Sequence, residues 1–213
     1  LHLCDRRQRQ MCIRDRNNLA VITWQSFGGY LIGTSSDEMT EKQSKDYDFM
    51  FNDRLSEWGN GYRRVLHKFT LPKNSAMICG FSGGGQIAHR AALRKPQYFS
   101  GIHILVNSSY DKPTPNAKNI VWLVTTGELE YGYPAATRFY QNMIDLGYAV
   151  IFKAGENLGH STNAQINNLS LEFFKYIINF VPDPSNPDWK TPPGRSKRKR
   201  ICCLLYTSDA ADD

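Results

Sequence analysis

The chain has 213 residues and a formal net charge of +6 at pH 7. This length suffices for one domain with a substantial core, and no apolar run approaches the roughly 20 residues that a membrane-spanning helix needs. The charges of segments 1–16 and 203–213 cancel, so the basic excess lies mainly in segment 195–200. Such a short basic run is typical of a solvated tail, and the charge therefore gives no reason to expect a nucleic-acid partner.

The two ends of the chain can be encoded by related DNA sequences. Codons for residues 6–16 can be chosen so that the complementary DNA strand, read in one frame, encodes residues 203–213. Two unrelated natural termini would not encode opposite strands of one DNA, and that DNA resembles a transposase-type sequencing adapter. We therefore expect residues 1–16 and 203–213 to be non-native. Between them, we expect one domain over 17–181 and a Pro-rich, basic tail over 182–202.

The first half of the domain is predicted to alternate strand and helix. The continuous apolar run at 19–24 is typical of a strand buried on both faces. Apolar residues recur at near-helical spacing over 46–69, which predicts a helix. An apolar strand is predicted at 75–79 and a helix at 86–94, which ends before Lys95-Pro96.

The second half of the domain continues this alternation. Further strands are predicted at 101–106, 119–125 and 148–152, and further helices at 134–147 and 169–181. Strands that alternate with helices imply parallel crossover connections. The sequence therefore predicts an α/β fold with a doubly wound, mostly parallel sheet.

Gly80-Phe81-Ser82-Gly83-Gly84 joins a predicted strand directly to a predicted helix. Strand, Gly-x-Ser-x-Gly and helix in this order form a nucleophile elbow. The turn is so tight that the residues two before and two after the serine must be small, and the serine takes a strained backbone conformation. The helix that follows directs its positive end at an oxyanion formed there. We predict Ser82 as the nucleophile and the backbone N–H of Gly83 as one oxyanion donor.

Two further polar residues follow predicted strands at the carboxyl edge of the sheet, where open parallel sheets carry their sites. Glu130 follows the strand at 119–125, and His160 follows the strand at 148–152. A serine hydroxyl needs a base, histidine can take and return its proton, and a carboxylate fixes the imidazole tautomer. We predict Ser82, Glu130 and His160 as catalytic residues. For the acid, Glu130 is favoured over Glu128 in the same turn, with Glu156 as a third candidate.

The other residues with reactive side chains fit structural roles better. His67, His89 and His103 lie within predicted helices and a strand, and none has a partner at metal-ligand spacing. Cys79 lies in an apolar strand, where a small core residue is expected. The glycine run at 83–85 lacks the Lys-Ser/Thr of a phosphate-binding loop. The sequence therefore predicts neither a metal nor a cofactor.

The region from about 19 to 180 resembles α/β-hydrolase serine esterases, most nearly the polyhydroxybutyrate-depolymerase and dienelactone-hydrolase-like groups. The elbow is specific to the superfamily, whereas the acid turn at 127–130 and the pair Gly159-His160 are specific only in combination. The resemblance implies hydrolysis of small-molecule or polymeric carboxylic esters through an acyl-enzyme, without a cofactor. A prolyl-oligopeptidase-like serine peptidase and a non-catalytic binding protein of the same fold remain alternatives.

The resemblance also implies that part of the fold lies upstream. In this superfamily, a loop after an earlier strand supplies the second oxyanion donor, but only one helix can be predicted between Trp24 and Ser75. We therefore expect an N-terminally truncated hydrolase that lacks its first strands. Neither a nucleic-acid nor a membrane partner is expected, and the sequence leaves localisation, oligomeric state and the activity of this fragment open.

Overall fold

The structure is a computed structural model that describes residues 19–23, 76–180 and 200–205, together with positions 40–42, 45, 60, 63, 64 and 67. Its strands form one six-stranded sheet in the order β1-β6-β2-β3-β4-β5, and each neighbouring pair is parallel. This confirms the predicted parallel α/β architecture. The strands are β1 (Leu19–Thr23), β2 (Ala76–Phe81), β3 (Phe99–Leu105), β4 (Val121–Gly127), β5 (Ala149–Gly155) and β6 (Arg200–Leu205).

Within residues 76–180, three helices cover the two faces of the sheet: α1 (Gly83–Arg94), α2 (Tyr133–Asp145) and α3 (Ala164–Phe180). Short 3-10 turns at Pro96–Tyr98 and Pro115–Ala117 complete the connections. Helices α1 and α2 pack with Trp122 in one buried cluster, whereas α3 packs with Met77 in a second one. Because neighbouring strand residues point to opposite faces, each central strand contributes to both clusters. The sheet is therefore doubly wound.

The burial of the strands explains their apolar sequences. Every residue of β3 is buried, as expected for a central parallel strand with helices on both sides. In β5, exposed and half-buried residues alternate up to the last position, which is typical of a strand at the edge of a sheet. Among the described residues, no helix is long and apolar enough to cross a membrane.

Several element boundaries differ from the predicted ones. Helix α1 begins at Gly83 rather than at 86, and α3 begins at Ala164 rather than at 169. The polar start of α3 is stabilised by Asn163, whose Oδ1 accepts a hydrogen bond from the Ile166 N–H at 2.9 Å. Most of the helix predicted at 46–69 lies outside the described residues, but the four positions that are described in it, 60, 63, 64 and 67, are helical.

Strand β6 occupies a position that the sequence did not predict. It consists of the end of the expected tail and the first residues of the segment expected to be non-native, yet it lies between β1 and β2. It pairs with β2 from Ala76↔Ile201 to Gly80↔Leu205. Strands β1 and β2 are therefore not neighbours in the sheet.

Candidate active site

The elbow at Ser82 has the strained geometry predicted from its sequence. Ser82 has φ 53° and ψ −123°, outside the regions that L-residues favour. A Cβ atom on Gly80 would lie 2.1 Å from the Gly84 carbonyl oxygen, so the turn requires glycine there. The Ser82 N–H donates to the Leu105 carbonyl at 2.9 Å, which anchors the turn to β3. These contacts hold the hydroxyl at the carboxyl edge of the sheet.

The loops after β4 and β5 lie against each other at the same edge. The Glu128 N–H donates to the Gly155 carbonyl at 3.0 Å, and the Leu129 N–H donates to the Leu158 carbonyl at 2.8 Å. A Cβ on Gly127 would lie 2.1 Å from the Leu158 oxygen, so only glycine permits this approach. The acid turn and the histidine loop are thus joined through their backbones.

These loops bring the three predicted site residues together. The Nε2 atom of His160 lies 2.9 Å from Ser82 Oγ, and its Nδ1 atom lies 3.0 Å from Glu130 Oε2. The carboxylate can only accept, so Nδ1 carries the proton and Nε2 presents its lone pair to the hydroxyl. The Glu130 side chain is 1% exposed, whereas that of His160 is 44% exposed. The arrangement is a serine hydroxyl, a base and a buried orienting carboxylate in hydrogen-bond contact.

The geometry also separates Glu130 from the two other acid candidates. Glu128 and Glu156 are both exposed, while Glu130 is 4% exposed and contacts the imidazole. The ring of Phe81 packs edge-on against that of His160, with centroids 5.4 Å apart at 65°. Phe81 lies within the elbow motif, but nothing in its sequence position indicated this contact.

Helix α1 leads away from the elbow, and its first residues include the proposed oxyanion donor. The first N–H groups of an α-helix have no intrahelical acceptor and point out of its N-terminus. The N–H of Gly83, the first residue of α1, is one of these groups. In the described part of the chain, no group of three or more His, Cys, Asp or Glu side chains is arranged to hold a metal ion.

A charged cluster between α1 and the loop after β3 positions that loop beside the elbow. Asp111 accepts hydrogen bonds from Arg90 Nε at 2.8 Å and from Arg94 Nη1 at 3.1 Å. Burial alone would raise the pKa of Asp111, but its positively charged neighbours lower it on balance. The sequence contains a partial signal for this cluster, because Arg90 and Arg94 are four residues apart on one helix face. Their partner comes from a distant loop and could not be assigned.

The two buried histidines have structural contacts, as predicted. His89 Nε2 accepts from the Asp111 N–H at 2.9 Å, so its Nδ1–H donates to the Gly85 carbonyl at 3.1 Å. Burial lowers the pKa of His89 to about 4, and the ring is neutral at pH 7. His103 contacts the hydroxyls of Thr125 and Ser170 at 3.0 Å and 2.8 Å, and burial lowers its pKa to about 3.

Comparison with known proteins identifies the fold. No protein-family profile and no curated protein sequence matches the chain. Among solved structures, a variant of Arabidopsis thaliana SOBER1 has a TM-score of 0.53 and 19% identity, over 68% of this chain and 70% of that one. A Bacillus cereus carboxylesterase has a TM-score of 0.53 and 13% identity, over 61% and 63%. A Mesorhizobium loti carboxylesterase has a TM-score of 0.51 and 14% identity, over 59% and 61%.

These likenesses extend over 59% to 68% of the chain at low identity, and they show that it has the α/β-hydrolase fold. Proteins of one fold catalyse many different reactions, so the function depends on the residues of the site.

Proposed function

We propose that the protein is a serine hydrolase that cleaves carboxylic esters through an acyl-enzyme intermediate. The observation that carries this proposal is the continuous hydrogen-bond contact from Ser82 through His160 to Glu130, at 2.9 Å and 3.0 Å. A strained, partly exposed serine in contact with a base is an arrangement suited to nucleophilic catalysis. The carboxylesterases with the same fold are consistent with this reaction class.

The proposed reaction has two halves. In the first, Ser82 Oγ attacks the ester carbonyl carbon while His160 Nε2 takes the hydroxyl proton, and the Gly83 N–H stabilises the oxyanion. The carbonyl re-forms, the bond to the alcohol oxygen breaks, and His160 returns the proton to that oxygen. In the second half, His160 takes a proton from water, the hydroxide attacks the acyl carbon, and Ser82 leaves with its proton restored. Glu130 stabilises the imidazolium in both halves.

The nucleophile is tested with a fluorophosphonate probe and with p-nitrophenyl esters. We expect the probe to label Ser82, and we expect Ser82→Ala to abolish both labelling and ester cleavage. Ser108→Ala is the matched control, because Ser108 lies near the same edge but its Oγ accepts a hydrogen bond from Tyr131 instead of contacting an imidazole. Labelling that persists in Ser82→Ala would contradict the proposal.

The role of Glu130 is tested by removing its charge. Glu130→Gln keeps the side-chain shape but cannot hold the imidazole in the required tautomer, so we expect kcat to fall by about 10⁴-fold. Glu128→Gln changes an exposed residue of the same turn and is expected to leave kcat unchanged. Equal losses in the two variants would contradict the assignment of the acid.

Peptidase and binding functions are outcomes of the same experiments. Cleavage of peptide p-nitroanilides in preference to p-nitrophenyl esters would favour the prolyl-oligopeptidase-like alternative. An intact elbow that neither labels nor cleaves, in a chain with its second oxyanion donor present, would favour a non-catalytic binding protein.

We also propose that, in the intact protein, a native strand from outside these 213 residues occupies the place of β6 in the sheet. The last three residues of β6 lie in the segment that can be encoded by DNA complementary to codons for residues 6–16. A sequence of that origin has not been selected to fill the centre of a sheet. The strand that belongs there would lie beside β2, and the loop that follows it would lie next to Ser82, where a second oxyanion donor is needed.

This second proposal is tested by recovering the upstream coding sequence. We expect it to encode an apolar strand followed by a loop. We expect the extended chain without residues 203–213 to cleave esters at least about 100-fold faster than the present chain, because one oxyanion donor contributes about that factor. Loss of activity when residues 203–213 are removed from the extended chain would contradict the proposal.

A further inference from the structure

The loop after β3 and the acid turn are in backbone contact. A Cβ on Gly132 would lie 2.6 Å from Ser108 Cα and 3.0 Å from the Asn107 carbonyl oxygen. The hydroxyl of Tyr131 also donates to Ser108 Oγ at 2.9 Å. These two loops therefore lie against each other directly after Glu130, with Tyr131 on the exposed side of the contact.

Polar atoms without partners are concentrated in these two loops. The carboxylate of Glu130 uses Oε2 for His160, but its Oε1 is buried without a hydrogen-bond partner. The hydroxyls of Tyr110 and Ser109 are buried in the same way, and only one further such side-chain atom, Trp122 Nε1, occurs in the part of the chain that the structure describes. An unpaired buried acceptor costs about 1–3 kcal/mol or more when charged, so native proteins usually satisfy such atoms directly or with bound water.

The ring of Tyr110 is held beside the acid turn. It stacks on Phe139 of α2 with centroids 4.6 Å apart and lies 5.4 Å from the ring of His89. Burial raises the pKa of Tyr110, and the negative charge of Glu130 raises it further. The phenol is therefore a protonated donor at neutral pH and lies within electrostatic reach of the carboxylate.

We propose that Tyr110 is a positioning residue for Glu130. Its O–H donates to one buried water molecule, and this water donates to Glu130 Oε1. Ser109, in the same loop, offers a third polar group, which matches the roughly three hydrogen bonds of a typical buried water. The bridge prevents rotation of the carboxylate about its last bond, so that Oε2 keeps facing the Nδ1–H of His160. This role in catalysis rests on the proposed hydrolase function, whereas the contact itself does not.

Tyr110→Phe tests this inference because it removes one oxygen atom and keeps the stacked ring. The first measurement is the proton NMR resonance of the His160 Nδ1–H, assigned by its absence in His160→Asn. We expect Tyr110→Phe to shift this resonance upfield and to speed its exchange with water, because the carboxylate is no longer fixed. Tyr140→Phe is the matched control, since Tyr140 is another partly buried tyrosine but packs on Phe152.

The second measurement is ester hydrolysis by the most active form of the chain. We expect Tyr110→Phe to lower kcat about tenfold and to leave KM unchanged, because the lost hydrogen bond acts on the charged state of the site. A purely structural role would instead lower the urea midpoint of unfolding and leave the resonance in place.

The two measurements separate this inference from the proposed function. If the resonance moves but even the unsubstituted chain does not cleave esters, the contact between Tyr110 and Glu130 stands and the hydrolase proposal fails. If the resonance is unchanged in Tyr110→Phe, the inference is overturned whatever the activity.

Discussion

His103 should make the fold sensitive to acid. In an unfolded chain a histidine titrates with a pKa of about 6.5. Burial among strands β2, β3 and β4 and helix α3 lowers the pKa of His103 to about 3. Between these two values, the unfolded chain binds a proton that the folded chain does not, so stability rises with pH in this window. The stabilisation is complete above the unfolded pKa and is lost as the pH falls towards 3.

The size of the free-energy loss follows from the number of pH units by which the pH falls below the unfolded pKa. Lowering the pH from 7 to 4.5 crosses about two units below the unfolded pKa, which at about 1.4 kcal/mol per unit costs the fold about 3 kcal/mol through this one residue. His103→Gln removes the titrating group and keeps a hydrogen-bonding side chain. We therefore expect the variant to be less stable at pH 7 but to lose about 3 kcal/mol less than the parent chain on acidification.

The assay is urea unfolding at pH 7 and pH 4.5, followed by tryptophan fluorescence. The free-energy losses of the two proteins are compared, so contributions that they share, including that of His89, cancel. His67→Gln is the control, because His67 is exposed and keeps its water contacts in both states. Equal losses in the parent chain and in His103→Gln would refute the reasoning.

Two further substitutions test the packing around the elbow. Gly80→Ala places a methyl group 2.1 Å from the Gly84 carbonyl oxygen. We therefore expect urea unfolding to show a free energy of unfolding that is lower by about 3 kcal/mol. Gly159→Ala is the control, because its methyl group enters open space and should leave the stability nearly unchanged. Asp111→Asn removes the carboxylate to which Arg90, 2% exposed, donates, and we expect a loss of about 3 kcal/mol, measured the same way at pH 7. A loss below about 0.5 kcal/mol in either case would show that these contacts do not constrain the fold.

The local pattern around Ser82 carried enough information to predict its strained backbone, whereas the parallel fold was predicted from the alternation of strands and helices along the domain. Local sequence suffices at Ser82, because the glycine spacing and the change from strand to helix both lie within about a dozen residues. The positions of Ser82, Glu130 and His160 directly after predicted strands likewise indicated which side chains would meet.

Features that depend on distant partners could not be predicted in this way. The early start of α3 follows from the cap at Asn163, which a search for apolar periodicity does not detect. The preference for Glu130 over Glu128 rested on a position within the turn, whereas the hydrogen bond to His160 is a tertiary contact. Tyr110 lies 20 residues before Glu130 in a loop without a sequence motif, and its proposed link to Glu130 depends on the packing of two loops.

The position of β6 beside β2 has a practical consequence for handling the protein. If residues 200–213 were trimmed and nothing replaced them, β2 would present a row of bare amide and carbonyl groups. An unpaired strand edge of this kind can form hydrogen bonds with an extended peptide, including a strand of a second molecule of the same chain. Light scattering of the trimmed protein should therefore show concentration-dependent self-association, and adding the proposed native strand in cis should return it to monodispersity.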